Sequence, residues 1–294
     1  MEVIDAHCHA DSRSLTDFRR LAEAGYKGII TLAMHKTEPR RAETLLDYWD
    51  VLLKNYSGEL KDTGLTSYLG LGIHPRNAHF TGEKNYEVAY DALGGYLQKE
   101  NVTALGEVGL DRIDKTEKEV LRRQLQIAKE IRKPAVIHTP GKRKSEALDE
   151  TLKILKEVGF PPKLTVLDHT DLTTLDRVLA HGSMIGLSIK SDKLDIPTVI
   201  RILKEHPEAV DRFMLNTDFG YSASHFEELN GVRRAAEEIA AELGRSTAAK
   251  AASDNAIRFF KLGLPLELSD DIRKKGIGDI ERGLRGGHKP RNRV

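Results

Sequence analysis

The sequence Asp5-Ala6-His7-Cys8-His9 sits at the end of a short apolar run. In an extended segment, residues two apart point the same way. His7 and His9 therefore share a face and form a natural two-pronged metal clamp, while Cys8 points to the opposite face as a packing residue. The pattern recurs. Other apolar runs lead into Gly72-Ile73-His74-Pro75, Gly106-Glu107-Val108-Gly109-Leu110-Asp111, Ile137-His138, Leu167-Asp168-His169 and Leu215-Asn216-Thr217-Asp218. Of the eleven histidines, five lie at such ends and His35 adds a sixth. His79, His181, His206, His225 and His288 read as ordinary loop or surface residues. Imidazole and carboxylate donors suit Zn²⁺, Mn²⁺, Co²⁺ or Fe²⁺. Four histidines with two carboxylates are too many for one tetrahedral ion with an open position. They suit two ions sharing a carboxylate and a water, whose pKa falls toward about 7 so that hydroxide forms at neutral pH. Asp218, last in the series, is the candidate base for that water.

Apolar, β-branched runs supply the elements that must gather these residues. Strands are expected at Val3–Ala6, Gly28–Ala33, Ser67–Gly72, Thr103–Gly106, Ala135–Ile137, Leu164–Leu167, Met184–Ser188 and Arg212–Leu215, about one per 30 residues, the length of a βα unit. Helical periodicity is read over Leu15–Ala24, Thr116–Arg132, Ser145–Val158, Asp171–Ala180 and Glu227–Leu243. Ser14 or Thr16 caps the first, and Gly25 sits where a left-handed terminator belongs. Alternating strands and helices imply an α/β chain with a parallel sheet, and eight strands can close into a (β/α)8 TIM barrel. An open doubly wound sheet is the alternative, but it would place a glycine-rich phosphate loop after the first strand. The barrel expectation puts all the strand-end donors at one mouth.

The chain has 294 residues, 39% of them hydrophobic and 31% charged, which is folded rather than disordered material. No run approaches the ~18 apolar residues of a membrane span. No basic and apolar leader opens the chain, so the cytoplasm, with no membrane association, is the expected compartment. One cysteine excludes an intrachain disulfide and a cysteine-rich zinc site. The net charge of +1 hides an asymmetry: residues 271–294 hold eight basic and three acidic residues, a surplus of five that leaves the body four negative. A negative body argues against a reader of duplex grooves, and a basic tail is either a solvated terminus or a contact for an acidic partner. Residues 1–264 are expected to form the barrel and 265–294 a basic C-terminal extension.

The ordered motifs resemble those of the TatD-like metal-dependent hydrolases of the amidohydrolase superfamily. The matching pieces are Asp5 to Asp11, Gly72-Ile73-His74-Pro75, Gly106 to Asp111, Pro134 to His138, His169, Thr217-Asp218 and the closing Asp254-Asn255-Ala256-Ile257-Arg258-Phe259-Phe260. The resemblance implies a two-metal barrel that hydrolyses phosphodiesters, often in DNA. By position it assigns His7 and His9 to the first metal, Glu107 to the bridge, His138 and His169 to the second metal, and Asp218 to the first metal and the water. It makes His74 a substrate contact and gives Asp5 the task of orienting a ligand histidine. Two divalent ions (Zn, Mn, Co or Mg) are expected, with single-stranded DNA ends or a small phosphodiester as substrate and no oligomeric state specified. Thr139-Pro140-Gly141-Lys142-Arg143-Lys144, Thr170-Asp171-Leu172 and Asn216-Thr217-Asp218-Phe219-Gly220 depart from the family pattern beside ligand positions that keep it. Lys142, Arg143 and Lys144 are a phosphate contact or a solvated loop. The alternative functions are an amide, lactone or cyclic-imide hydrolase on the same barrel, and a non-catalytic metal-binding barrel.

Overall fold

The computed structural model describes residues 1–220 and 225–267, with no account of the side chains of 55–59 and 61. The expected basic tail at 271–294 lies outside the described residues. Eight parallel strands follow one another around a nearly closed (β/α)8 barrel in the order β1 to β8. The strands and helices are β1 Val3–Cys8, α1 Leu15–Glu23, β2 Tyr26–Leu32, α2 Ala42–Gly58, β3 Thr66–Leu71, α3 Lys84–Leu97, β4 Val102–Gly109 and α4 Lys115–Glu130. They continue as β5 Ala135–His138, α5 Lys144–Val158, β6 Thr165–Leu167, α6 Leu175–His181, β7 Met184–Ser188, α7 Ile196–Glu205 and β8 Phe213–Asn216. Four helices end the described chain: α8 Phe226–Leu229, α9 Gly231–Leu243, α10 Arg245–Ala249 and α11 Asn255–Phe260. No helix among the described residues is long and apolar enough to cross a membrane.

The apolar residues form two layers. Val3, Cys8, Leu69, Leu105 and Leu215 face outward and pack with the helices. Ile4, Ile30, Tyr68, Val136 and Met214 face inward and meet Ile257, Phe260 and Leu262. The interior is thus a packed plug at the end where the strands begin, which leaves the opposite mouth for chemistry. The closing Asn255 fixes this plug: its side-chain amide donates to the carbonyls of Val210 and Phe213, both at 2.8 Å. Beyond residue 264 the chain still docks on the barrel. The Glu267 N–H donates to Asp254 Oδ1 at 2.8 Å, and Lys27 Nζ lies 2.8 Å from Glu267 Oε1.

Ser14 caps α1, and Gly25 takes φ +91° as expected. Two helix readings shift. The helix expected from Asp171 starts at Leu175, because the Asp171 carboxylate and the Thr174 hydroxyl bond neighbouring backbone and hydroxyl groups to make a separate turn. The helix expected over Glu227–Leu243 is interrupted at Asn230. Gly231 there lies so near Ile189 and Thr217 that a Cβ would meet both at 3.3 Å, so α9 begins where the backbone meets the sheet closely. Helices α2, α3 and α7 carry no assignment from the sequence. In α7 the β-branched Ile196, Val199, Ile200 and Ile202 resemble a strand, but Asp195 caps the Thr198 N–H at 2.9 Å and Pro197 fits the first turn.

Candidate metal centre

Strict alternation along β1 would turn His7 outward, because Ile4 and Ala6 both face the interior. Between Asp5 and Cys8 the strand advances three residues while its partner β2 advances two, from Ile29 to Thr31. The extra residue resets the parity, so Cys8 joins the outer layer while His7 and His9 face inward, their ring centroids 5.0 Å apart. Strand β4 repeats the device: Leu105 pairs with Ala135 and Val108 with Ile137. Leu105 and Val108 both face outward, and Glu107 is delivered to the mouth. Bulges of this kind re-aim side chains beside active sites. His169 (φ +55°) and Asp218 (φ +47°) use another device, a left-handed backbone that is uncommon for residues with a Cβ. Each is held by its own N–H, which donates from His169 to Asp168 Oδ1 at 2.8 Å and from Asp218 to the His7 carbonyl at 2.9 Å.

The second of those bonds belongs to the seam between β8 and β1. His9 N–H donates to the Phe219 carbonyl at 2.8 Å on the same seam. Asp5 completes it. Its Oδ1 accepts the N–H groups of His7 and Thr217, each at 3.1 Å, and its Oδ2 accepts the Thr217 hydroxyl. Burial pushes the Asp5 carboxyl up to about 7 against those donors. Asp5 therefore holds His7 by its main chain and ties it across the seam to Thr217, while Asp168 holds the His7 ring. Asp168 Oδ2 is bonded to His7 Nδ1, and its Oδ1 also accepts from Asn216 Nδ2 at 2.9 Å. Asp168 lies beside His169 in the sequence, so the signal was a second carboxylate in the same strand-end motif.

The rings of His9 and His169 are held from behind and turn Nε2 to the centre. His9 Nδ1 lies 2.9 Å from the Leu32 carbonyl, which can only accept, so Nδ1 carries a hydrogen and Nε2 is the atom turned to the centre. His169 Nδ1 bonds Ser188 Oγ at 2.7 Å, and its Nε2 faces inward. Metal-ligating histidines are held from behind in this way. Inward-facing atoms then oppose one another as acceptors. His9 Nε2 is 3.2 Å from Asp218 Oδ1, and His7 Nε2 is 3.3 Å from Glu107 Oε2. His7 Nε2 and His138 Nε2 are buried without a hydrogen-bond partner among the described residues. Such contacts need a positive centre, either a proton or a cation. Burial alone would depress His7 and His138, but Glu107 outweighs it, helped by Asp168 at His7 and Asp111 at His138. His7 rises well above the usual imidazole range and His138 to about 9. Burial would likewise raise Glu107 and Asp218. The imidazoles facing Glu107, and Lys193 beside Asp218, hold both carboxyls well below their usual range. The donor set fits divalent cations.

Glu107 divides the donors. Its Oε1 lies 2.8 Å from His138 Nδ1 and 3.0 Å from His169 Nε2. Its Oε2 faces His7 Nε2 and, at 3.6 Å, His9 Nε2. Asp218 Oδ1 sits with the latter pair, 3.7 Å from His7 Nε2. His74 is also near, its Nε2 3.5 Å from Glu107 Oε2. Its Nδ1, however, accepts the Arg76 N–H at 3.1 Å, so Nε2 bears the hydrogen and points into the cavity as a donor. Burial lowers His74 to about 3, keeping it neutral. A neutral N–H donor can serve a substrate oxygen, and His74 also stands with Glu107 and His138 in a group close enough to hold a cation.

These groups floor a cavity of about 760 Å³ whose rim carries Arg76, Arg112, Lys142, Lys144, Lys190 and Lys193. Of the expected basic trio, Lys142 and Lys144 face the cavity, while Arg143 is tied to Glu146 and to the Arg112 carbonyl. Lys190 and Lys193, which the motifs do not mark, both reach Asp218 Oδ2, at 3.2 and 2.6 Å. A further His79–Asp114–Glu117 cluster lies beside the loop after β4. There Glu117 accepts the N–H groups of Asp111, Arg112 and Ile113, so it braces that loop.

Gly186 makes room for Asp168: a Cβ there would fall 1.9 Å from Asp168 Oδ1. Gly186→Ala is expected to displace Asp168 from His7 and weaken metal binding about 10- to 100-fold, with helix content preserved. Chelator competition checks it, and unchanged affinity would remove Asp168 from the support of the site.

A (β/α)8 barrel with a buried histidine–carboxylate cluster at its C-terminal mouth has the architecture of a metal-dependent hydrolase. The family model described as TatD related DNase matches residues 4–261, and the chain belongs to that family of metal-dependent hydrolases. It is 36% identical over 219 residues to an uncharacterised metal-dependent hydrolase of Methanocaldococcus jannaschii, covering 74% of this chain and 84% of that one. The crystal structure of a TatD-like protein from Archaeoglobus fulgidus is similar at 32% identity, with a TM-score of 0.72 and coverage of 88% of this chain and 99% of that one. A human protein named as a 3'-5' RNA nuclease is 29% identical over 182 residues, which span 56% of this chain and 21% of that longer one.

Proposed function

We propose that this chain is a two-metal phosphodiesterase that cleaves single-stranded DNA ends or a small phosphodiester in the cytoplasm. The observation that carries the reading is the division of ring nitrogens by Glu107, with His138 and His169 on Oε1 and His7 and His9 on Oε2. One ion would be held by His7, His9, Glu107 and Asp218, the other by Glu107, His138 and His169. Bound Zn²⁺, Mn²⁺, Co²⁺ or Mg²⁺ supplies Lewis acidity toward the phosphoryl oxygen and acidifies water. Asp218 Oδ1, facing the His7–His9 side, takes the proton of the attacking water. His74 Nε2–H donates to a phosphoryl oxygen. The basic rim holds substrate charge at the mouth, and the nuclease name of the human relative supports a phosphodiester in particular.

The test strips the full chain with chelator and reloads it with each metal. Bis(4-nitrophenyl) phosphate and end-labelled single-stranded DNA are the substrates, and metal content is measured by emission spectrometry. Hydrolysis that requires metal and saturates at two ions per chain is expected. Saturation at one ion would remove the two-metal reading. Cleavage of neither phosphodiester under any metal would transfer the site to amides and lactones.

A further inference from the structure

The turn between β7 and α7 is a closed unit. Leu194 N–H donates to the Ser188 carbonyl at 3.1 Å, Lys193 N–H to the Lys190 carbonyl at 3.0 Å and Lys190 N–H to the Leu194 carbonyl at 3.3 Å. It projects Lys190 and Lys193 side by side onto one oxygen of Asp218, their side chains only 16% and 18% exposed. The other rim cations Arg76, Arg112 and Lys144 are each held by partners of their own. Arg76 pairs with Asp111, Arg112 with Glu38, and Lys144 with Asp171 and the His169 carbonyl. Asp111 also lies 3.4 Å from His138 Nε2, so Arg76 and the lysine pair each share a carboxylate with the histidine cluster, but among the described residues it is the lysines that set two cations on one carboxylate oxygen.

We infer that Lys190 and Lys193 form the anion-selecting element of this site, binding the negative oxygen of a phosphodiester and so favouring charged phosphoesters over neutral esters. The inference rests on the metal-dependent hydrolysis proposed above. In the protein alone, the two ammonium groups lie against Asp218, while the raised imidazoles of His7 and His138 face Glu107. A cation on Oδ1 of Asp218 draws on the same carboxylate charge, so the cluster acquires a positive surplus that the protein does not offset. A phosphodiester anion offsets it, and a neutral ester does not. Lysine suits the exchange, because its ammonium is a point charge on a flexible four-carbon stem and can turn from Asp218 to an incoming oxygen. The two stems also form part of the wall of a neighbouring cavity of about 470 Å³ that reaches Ser191, Thr198 and Arg234, so they stand between two open spaces.

The experiment compares two substrates with one leaving group: bis(4-nitrophenyl) phosphate, an anion, and diethyl 4-nitrophenyl phosphate, which is neutral. Wild type, Lys190→Met, Lys193→Met and Lys193→Arg are assayed after metal loading, with metal content measured in each. Binding of dimethyl phosphate to each loaded protein is followed by calorimetry, a readout independent of turnover. Each Met variant is expected to weaken dimethyl phosphate binding about 10- to 100-fold and to lower the diester-to-triester ratio of kcat/KM by a similar factor, chiefly through KM. Lys193→Arg, which keeps the charge, should restore most of both. Equal losses on the two substrates, or unchanged dimethyl phosphate affinity, would overturn the inference and leave the lysines as supports of Asp218. A wild type that binds dimethyl phosphate through the lysines yet hydrolyses neither compound would sink the hydrolytic reading alone.

Discussion

Asp218→Asn is expected to lower kcat for bis(4-nitrophenyl) phosphate by about 10²- to 10⁴-fold, the range associated with loss of a positioned general base. The structure specifies how the amide would sit. Lys190 and Lys193 require an acceptor at the outer atom, where Asp218 Oδ2 now receives both. The asparagine oxygen would therefore turn toward the lysines and its NH2 toward His9, where Oδ1 now stands 3.2 Å from Nε2. The variant loses the proton acceptor and one metal donor together. His7, His9 and Glu107 Oε2 remain, so metal is retained at reduced affinity, and the assay is run with metal in excess and content measured in parallel. Turnover within tenfold of wild type at full loading would remove Asp218 from the base role.

The strands were legible because each is a short β-branched run bounded by turn residues and because the barrel buries both faces. The positions of the donors were legible for the same reason, since the ends of parallel strands in a closed barrel meet at one mouth. What the period of two does not contain is the pair of extra residues in β1 and β4. The shared face of His7 and His9 survives locally, but the direction of that face is set by a bulge that no residue type announces. Asp5 shows the limit of positional reasoning. A carboxylate two residues from a ligand histidine can hold it by ring or by main chain, and here Asp5 accepts the His7 N–H and also spans the barrel seam, because Thr217 offers both an N–H and a hydroxyl within reach. Asp168, 161 positions away in the chain, reaches His7 because β6 delivers it to the same layer. The lysine pair was hidden for another reason. Lys190-Ser191-Asp192-Lys193 has the composition of any solvated loop, and only the backbone bonds of the turn bring both ammonium groups to one carboxylate.

Glu107→Gln carries the largest expected loss, because Glu107 is the side chain whose two oxygens face both halves of the cluster. Glutamine keeps the shape and the burial, at 1% exposure, but replaces one donor oxygen with an NH2 and removes the charge that His7 and His138 both require. With the charge gone, burial favours the neutral imidazoles and little draws a cation between them. Each half then loses a ligand or the charge that anchors it. Metal content is expected to fall from two ions to below one per chain under conditions that saturate wild type, and kcat/KM to fall by about 10³- to 10⁵-fold, the loss of a several-kcal/mol contribution from two metals. Circular dichroism and urea unfolding of the metal-free proteins separate this loss from misfolding. The informative number is the residual stoichiometry. Retention of one tightly held ion would mean that the remaining histidines and carboxylate complete a site without the bridge, and Glu107 would then belong to one metal, with the other held by a set of donors that excludes it.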